Sequence, residues 1–300
     1  MIQRGRWWKA MKSVAVEIGE KNLGLIAAGC AFFGIVAIFP AIGAIIAIFG
    51  LVADPAIVSA QLQLMEEFIP AEAYKLFSEQ INALLAARTD QLGWTSLLSL
   101  MIALWSARLG VASIMQGLNA IHGQPNRGGL RQIMVALLLT VSLIGVSVAS
   151  LLLVVIAPIV FSFLQLGAAA AWLLEALRWL VALFILLAGL GILYRFGPNA
   201  RGDRPSWVSP GAVLAVVLWL AASVGFSLYL ANFGRYNEVY GSIGAVIALL
   251  IWLYISAFLV LLGAALNAAL RRLRRAEKAA RKALEEERPP ELDEGPGHPG

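Results

Sequence analysis

Between Gln132 and Leu174 the chain reads QIMVALLLTVSLIGVSVASLLLVVIAPIVFSFLQLGAAAAWLL, without one Asp, Glu, Lys, Arg or His. As a single helix rising about 1.5 Å per residue this stretch would reach roughly 65 Å, twice the roughly 30 Å of a bilayer core. It must therefore fold as two membrane-spanning helices with a turn between them. The turn is placed at Gln165-Leu166-Gly167, which leaves spans over 133–164, with Pro158 near its outer end, and over 176–196.

The same criterion marks four more spans. Leu23 to Ala53 carries no ionisable side chain except Cys30, giving a span over 23–52, and Leu92 to Ile121 carries only Arg108, giving 92–121. A polar Arg201-Gly-Asp-Arg-Pro-Ser206 linker precedes a span over 207–233, and a short Asn, Gly, Arg and Tyr turn precedes one over 241–269. The predicted fold class is all-α: a polytopic membrane helix bundle of six transmembrane helices with added amphipathic interfacial and periplasmic helices. It divides into a segment 1–22, a membrane domain 23–270 and a tail 271–300. Composition agrees, because 300 residues at 60% hydrophobic, 14% charged and a mean hydropathy of +0.80 lie far from the roughly 45–50% and about 25% of soluble domains.

Six spans put both termini and the second and fourth loops on one side, which basic residues test. That side collects Arg4, Arg6, Lys9, Lys12 and Lys21, then Arg127 and Arg131, then Arg195, Arg201 and Arg204, and last the run from Arg271 to Arg288. The other side holds Lys75, Arg88, Arg178 and Arg235. Both termini are therefore expected in the cytoplasm and the protein in a bacterial inner membrane. The uncharged run of the first span is too long for the core of a cleaved signal peptide.

Three segments lie outside the spans. In 1–22, Trp7, Met11, Val14 and Ile18 form one stripe, read either as a helix in the cytoplasmic interface, anchored by Trp7 and Trp8, or as a helix packed on the inner end of the bundle. Residues 54–91 begin with an Asp54-Pro55 helix start and carry two amphipathic patterns separated by Pro70, fitting a periplasmic lid or a plain packing hairpin. Beyond Asn267 the helix is expected to continue into the cytoplasm, where Arg271, Arg272, Arg274 and Arg275 form a juxtamembrane cluster suited to anionic lipid headgroups, at about 1 kcal/mol per charge. A disordered acidic tail follows.

Most chemistry is excluded by count. A lone Cys30 forms no internal disulfide, and two histidines, His122 and His298, far apart in sequence, make no metal site. No HExxH, phosphate-cradling Gly-Lys-Ser/Thr or GxSxG motif occurs, so neither an enzyme nor a cofactor is expected. A net charge of +5 is too small and dispersed to call for nucleic acid. Membrane lipids are the expected partners, while protein partners and oligomeric state are not legible.

Arg108 in mid-span demands a reason, because an arginine at a span centre costs about 2.5–3.5 kcal/mol on insertion scales. Asn119, eleven residues on, lies about 20° round the helix, on the face of Met101 and Met115. Arg108 and Asn119 are thus candidates for an anion site, or else a packing device in which Arg108 snorkels or bonds to carbonyls. Pro40 should kink its span. Ser223 and Ser227, Gly241 and Ala245, with Gly244 and Gly263, mark close helix packing.

Several of these pieces, taken in order over about residues 20–270, resemble the YihY/BrkB family. They are Ala27-Ala-Gly-Cys-Ala-Phe-Phe with Phe39-Pro40, Leu118-Asn119-Ala-Ile, and Leu193-Tyr194-Arg195-Phe-Gly-Pro198. Pro210-Gly211-Ala with Leu218-Trp219 follows, then Tyr236-Asn237-x-x-Tyr240-Gly241-Ser-Ile-Gly244-Ala245, Trp252-Leu-Tyr254 and Gly263-Ala-x-Leu-Asn267. The resemblance implies a six-span inner-membrane protein supporting envelope integrity, in one branch exporting lipid-type components; an old ribonuclease label also attaches to the family. A transporter or flippase-like protein for an amphiphilic or anionic envelope component is the expected function, with a structural or interaction protein as the alternative. Two departures stand out: Ala265 where an acidic residue commonly precedes the Leu-Asn pair, and Ala37 where a small polar residue is common.

Overall fold

The computed structural model of the chain describes residues 2–52, 89–162, 168–199, 205–232 and 234–286. Helices α1 (Ile2–Glu20), α2 (Leu23–Val52), α3 (Thr89–His122), α4 (Gly129–Ser162), α5 (Ala168–Phe196), α6 (Pro210–Asn232) and α7 (Gly234–Glu286) account for nearly all of them. The fold is the expected all-α polytopic membrane bundle. Five of the described helices are long and apolar enough to cross a membrane, and the α1–α2 pair, bent by 64° at its break, brings the number to as many as six.

The bend has a local cause. Asn22 takes a left-handed φ of 51°, a conformation that asparagine tolerates better than most non-glycine residues. The amides of Lys21 and Asn22 close α1 on the carbonyls of Glu17 (2.9 Å) and Gly19 (3.1 Å), and the Asn22 carbonyl accepts the first bond of α2 from Ile26 (3.1 Å).

Outward surfaces are apolar. Trp172, Leu173, Leu180 and Phe184 on α5, Leu138 on α4, and Val224 and Leu228 on α6 are all exposed. Hydrocarbon is the solvent in which this arrangement is favourable, with the backbone polar groups satisfied inside the helices. The buried core lies toward one end of the bundle, where Leu118, Ile121, Leu193, Leu261 and Leu266 pack around Ala264, Ala265, Ala268 and Ala269 of α7. Small residues let backbones approach: a Cβ on Gly117 of α3 would stand 2.6 Å from Leu261 Cδ2. This end, where α3 and α5 finish, α4 and α6 begin and α7 emerges, also carries Arg127, Arg131, Arg195 and Arg271, and is called the basic end below.

At its ends the helix pattern departs from the expected spans. α4 covers 129–162, α5 begins at Ala168, eight residues ahead of the expected span, and α7 begins at Gly234, seven residues ahead of its expected span, while its far end runs on to Glu286 in keeping with a helix expected to continue beyond Asn267. Apolarity locates the bilayer-crossing part of a helix, whereas alanine-rich and charged stretches extend the same helix beyond it. The turn placed at 165–167, most of the 54–91 segment, the Arg201–Arg204 part of the linker and the acidic tail after Glu286 lie outside the described residues.

The stripe read on α1 is rotated. The structure buries Ala10, Val14 and Glu17 and leaves Trp7, Trp8 and Met11 exposed, with Ile18 partly covered. Glu17 forms an ion pair with Arg272 of α7, and this contact turns the 10/14/17 face, at helical spacing, onto α7. One face of α1 thus packs on the basic end while its two tryptophans stay free for the surroundings.

Candidate functional site

A cavity of about 440 Å³ opens between α2, α3, α5, α6 and α7, with Leu143 of α4 also on its wall. Its walls are built from Cys30, Gly34, Gly110, Leu190, Trp219 and Leu253, among other small and aliphatic side chains. Glycines at 34 and 110 thin the α2 and α3 walls: a Cβ on Gly110 would meet Cys30 O at 3.6 Å. The polar groups of the lining are few: the Cys30 thiol, and Trp219 and Ser256, whose Nε1–H and Oγ are bonded to each other across the α6–α7 seam (3.0 Å). Trp252 stands edge-on to Trp219 with ring centroids 5.9 Å apart. Such a space suits an alkyl chain and suits an ion badly, because an ion there would meet no donor or acceptor able to replace its water.

Arg108 is on α3, next in sequence to the cavity-lining Ala107, and is only 6% exposed. Its guanidinium lies 4.2 Å from the Trp105 ring centroid, and its Nε has no hydrogen-bond partner among the described residues. Met115, on the same face, is fully buried, but Met101 is exposed. The structure does not bring Arg108 and Asn119 together, since eleven residues separate them by about 16 Å along the helix. Asn119 belongs instead to a clasp at the basic end. Its Nδ2 donates to Asn126 Oδ1 (2.8 Å) and its Oδ1 accepts from the Asn199 amide (2.7 Å). Arg127 completes the clasp by donating to the carbonyls of Phe196 (3.1 Å), Gly197 (2.7 Å) and Pro198 (2.6 Å), which closes the α3–α4 loop onto the end of α5. Partial burial, with Arg131 beside it, pulls the Arg127 guanidinium below its ordinary value.

A second clasp joins α5, α6 and α7. Tyr194 donates to the Val260 carbonyl (2.6 Å), the Gly211 amide donates to Asn267 Oδ1 (2.8 Å), and Asn267 Nδ2 donates to Ser209 Oγ (2.8 Å). Gly211 and Gly263 face each other so closely that a Cβ on either would collide with the other's carbonyl oxygen. Four residues singled out from the sequence, Tyr194, Gly211, Gly263 and Asn267, thus meet at one crossing, and Pro210 opens α6 beside them with Ser209 as its cap. Arg195 lies over Trp207 (5.1 Å to the ring centroid) and Tyr254 stacks on Phe258 (6.2 Å).

The remaining residues are more dispersed. Pro40 sits inside α2 and leaves the Val36 carbonyl without its helical donor. Ser227 is exposed and Ser223 Oγ has no partner among the described residues, so this pair does not close a seam there. Gly244 is partly buried near the start of α7; Tyr236, Asn237, Tyr240 and Gly241 precede it on the same helix, and Ala245 follows it in an exposed position. The side chains of the first three lie outside the described set. Arg272 points to α1, whereas Arg271, Arg274 and Arg275 line a separate cleft. Glu175 and Arg178, at the opposite end of α5, form an ion pair. No group of three His, Cys, Asp or Glu side chains comes together among the described residues.

Comparison with known proteins adds the family. Residues 14–288 match the family described as Virulence factor BrkB. A ribonuclease-like protein, YfkH, of Bacillus subtilis is 32% identical over 233 residues, 76% of this chain and 80% of that protein. UPF0761 membrane proteins match over shorter stretches. The Tolumonas auensis protein is 41% identical over 98 residues, 33% of this chain and 31% of its own length. One from Xanthomonas campestris is 36% identical over 110 residues, 37% of this chain and 26% of its own. No solved structure matches this chain.

Proposed function

This chain belongs to the BrkB virulence-factor family of multi-pass membrane proteins, and from that premise we propose that it binds and moves an amphiphilic, anionic component of the cell envelope across a bacterial inner membrane. The observation that carries this reading is the apolar cavity: at about 440 Å³ it falls within the roughly 300–1,000 Å³ of ligand pockets, and its walls are hydrocarbon. Arg108 is not itself a lining residue, but it is buried on the same helix one position from the lining Ala107, and it is proposed to supply the charge complement through a guanidinium fork that fits a phosphate or carboxylate. The concave surfaces offer cations, hydroxyls and aliphatic groups, which is the equipment of a binding protein rather than of a hydrolase.

Filling the cavity tests this. Ala257 lines it and is buried, so Ala257→Phe projects a ring into the space. Gently purified wild-type protein is expected to carry lipid that mass spectrometry identifies, and the Phe variant to carry at least about fivefold less with its melting temperature preserved. A higher melting temperature with unchanged bound lipid would identify the space as a dry packing void and favour a structural or interaction protein.

The basic end is proposed to face the cytoplasm, because the positive charge concentrates there. With Cys30 replaced by Ala, single cysteines at Gln80 and Ser206 are expected to respond oppositely to an impermeant thiol reagent added to intact cells, Gln80 labelled and Ser206 protected. Labelling of both from outside would remove the six-span arrangement.

A further inference from the structure

At the basic end a second cavity, about 320 Å³, lies between the start of α6 and the emerging part of α7. One wall is Ser206, Ser209 and Pro210; the other is Arg271, Arg274, Arg275 and Lys278. Four cations at spacings of three, four and seven residues fall on one stripe of α7, while Arg272, outside that stripe, turns away to Glu17. The basic cluster is therefore split by helix geometry into one residue that holds α1 and a face that lines a cleft.

Hydrogen-bond counting at Ser209 shows what the cleft lacks. The Gly211 amide can only donate, so the Asn267 atom it meets is the oxygen, and the nitrogen must be the atom facing Ser209. Ser209 Oγ then accepts twice, from Asn267 Nδ2 (2.8 Å) and from the Ala212 amide (3.3 Å). Both its lone pairs are taken, and its own O–H remains a donor for which no acceptor occurs among the described residues. Ser209 is only 3% exposed and lines the cleft, so a buried donor faces into a cavity walled by cations. Arg271 is pre-positioned by its bonds to Asn267 O (3.3 Å) and His122 Nε2 (2.6 Å). Arg274 and Lys278 reach the cleft without an ion-pair partner among the described residues.

We infer that this cleft is a binding site for a phosphate group, held by the Ser209 hydroxyl and by the Arg271, Arg274 and Lys278 side chains. The first-turn amides of α6 take no part, since Gly211 and Ala212 are already bonded and Pro210 has none. The site stands apart from the apolar cavity, with the Gly211–Gly263 crossing between them, and does not depend on the chain being a transporter.

The test is calorimetric titration of the full chain in a nonionic detergent with two probes, inorganic phosphate and short-chain phosphatidic acid. Arg274→Gln with Lys278→Gln removes two charges from exposed positions and leaves the core untouched. This pair is expected to weaken binding about tenfold or more. Arg281→Gln with Lys282→Gln removes the same charge from the same helix outside the cleft and should change binding less than about threefold. Phosphatidic acid binding with no response to inorganic phosphate assigns the site to a lipid headgroup; comparable binding of both assigns it to free phosphate. Binding of neither probe, or equal losses in the two double variants, overturns the site.

Discussion

Gly263→Val should be among the most damaging single substitutions in the described part of the bundle. The reason is where its Cβ would go: into the Gly211 carbonyl oxygen of α6, 2.6 Å from the Tyr194 hydroxyl and 2.9 Å from Ala215 Cβ. Two of these neighbours are fixed. The Gly211 backbone is held by Asn267, and Tyr194 by the Val260 carbonyl. Relief therefore requires α6 and α7 to separate, which breaks the buried Gly211–Asn267 and Asn267–Ser209 bonds. Overpacking with loss of buried bonds should destabilise by about 3 kcal/mol or more. The expected result is a collapse of folded, monodisperse protein in detergent and a large fall in melting temperature. Gly225→Ala is the control, on the partner helix α6 with nothing near its added methyl. It should be neutral or stabilising by up to about 1 kcal/mol, as alanine restricts the unfolded chain. Equal tolerance of both changes would show that the crossing is looser than the structure has it.

That crossing also marks the boundary of what could be read from the sequence. The helices were legible because uncharged runs of span length have few alternatives to crossing a bilayer. Arg108 was legible as a buried residue because a charge in such a run has to be hidden, and it is buried. Pairings between helices were not legible in the same way. Spacing of four pointed to Ser223 with Ser227, whereas the tightest approach joins Gly211 to Gly263, on two helices and fifty-two positions apart. No periodicity encodes a partner on another helix. Asn119 shows the same limit: its angular position beside Arg108 followed from 100° per residue, but its bonds to Asn126 and Asn199 depend on how two loops fold back. The apolar cavity was equally hidden, since the leucines, alanines and glycines that line a space read identically to those that fill one. Ala265 is informative in retrospect. It is fully buried among the alanines of α7, so a chain with an acid at this position would need a partner that this one does not have to supply.

Arg108→Ala bears most directly on function, and its expected phenotype separates the possible partners of the guanidinium. Holding this charge in the bundle costs about 2.5–3.5 kcal/mol on insertion scales. The Trp105 face returns about 0.5–2 kcal/mol of that by cation–π attraction. Removing the charge and the contact together should leave stability within about 1–2 kcal/mol of wild type, because no carboxylate among the described residues is stranded by the change. If a carboxylate elsewhere in the chain were the partner, its abandonment would instead lower stability by about 3–5 kcal/mol. On the proposed reading the partner is the anionic group of the bound amphiphile. Arg108→Ala should then fold and express normally yet fail in an envelope-stress complementation assay. Arg108→Lys should be partly active, because lysine keeps the charge but loses the planar fork that grips two oxygens at once. Thermal unfolding and complementation measured on the same preparations distinguish all three cases. A well-expressed Arg108→Ala variant with full activity would leave the arginine as a packing residue, its guanidinium held by Trp105 and its charge unused.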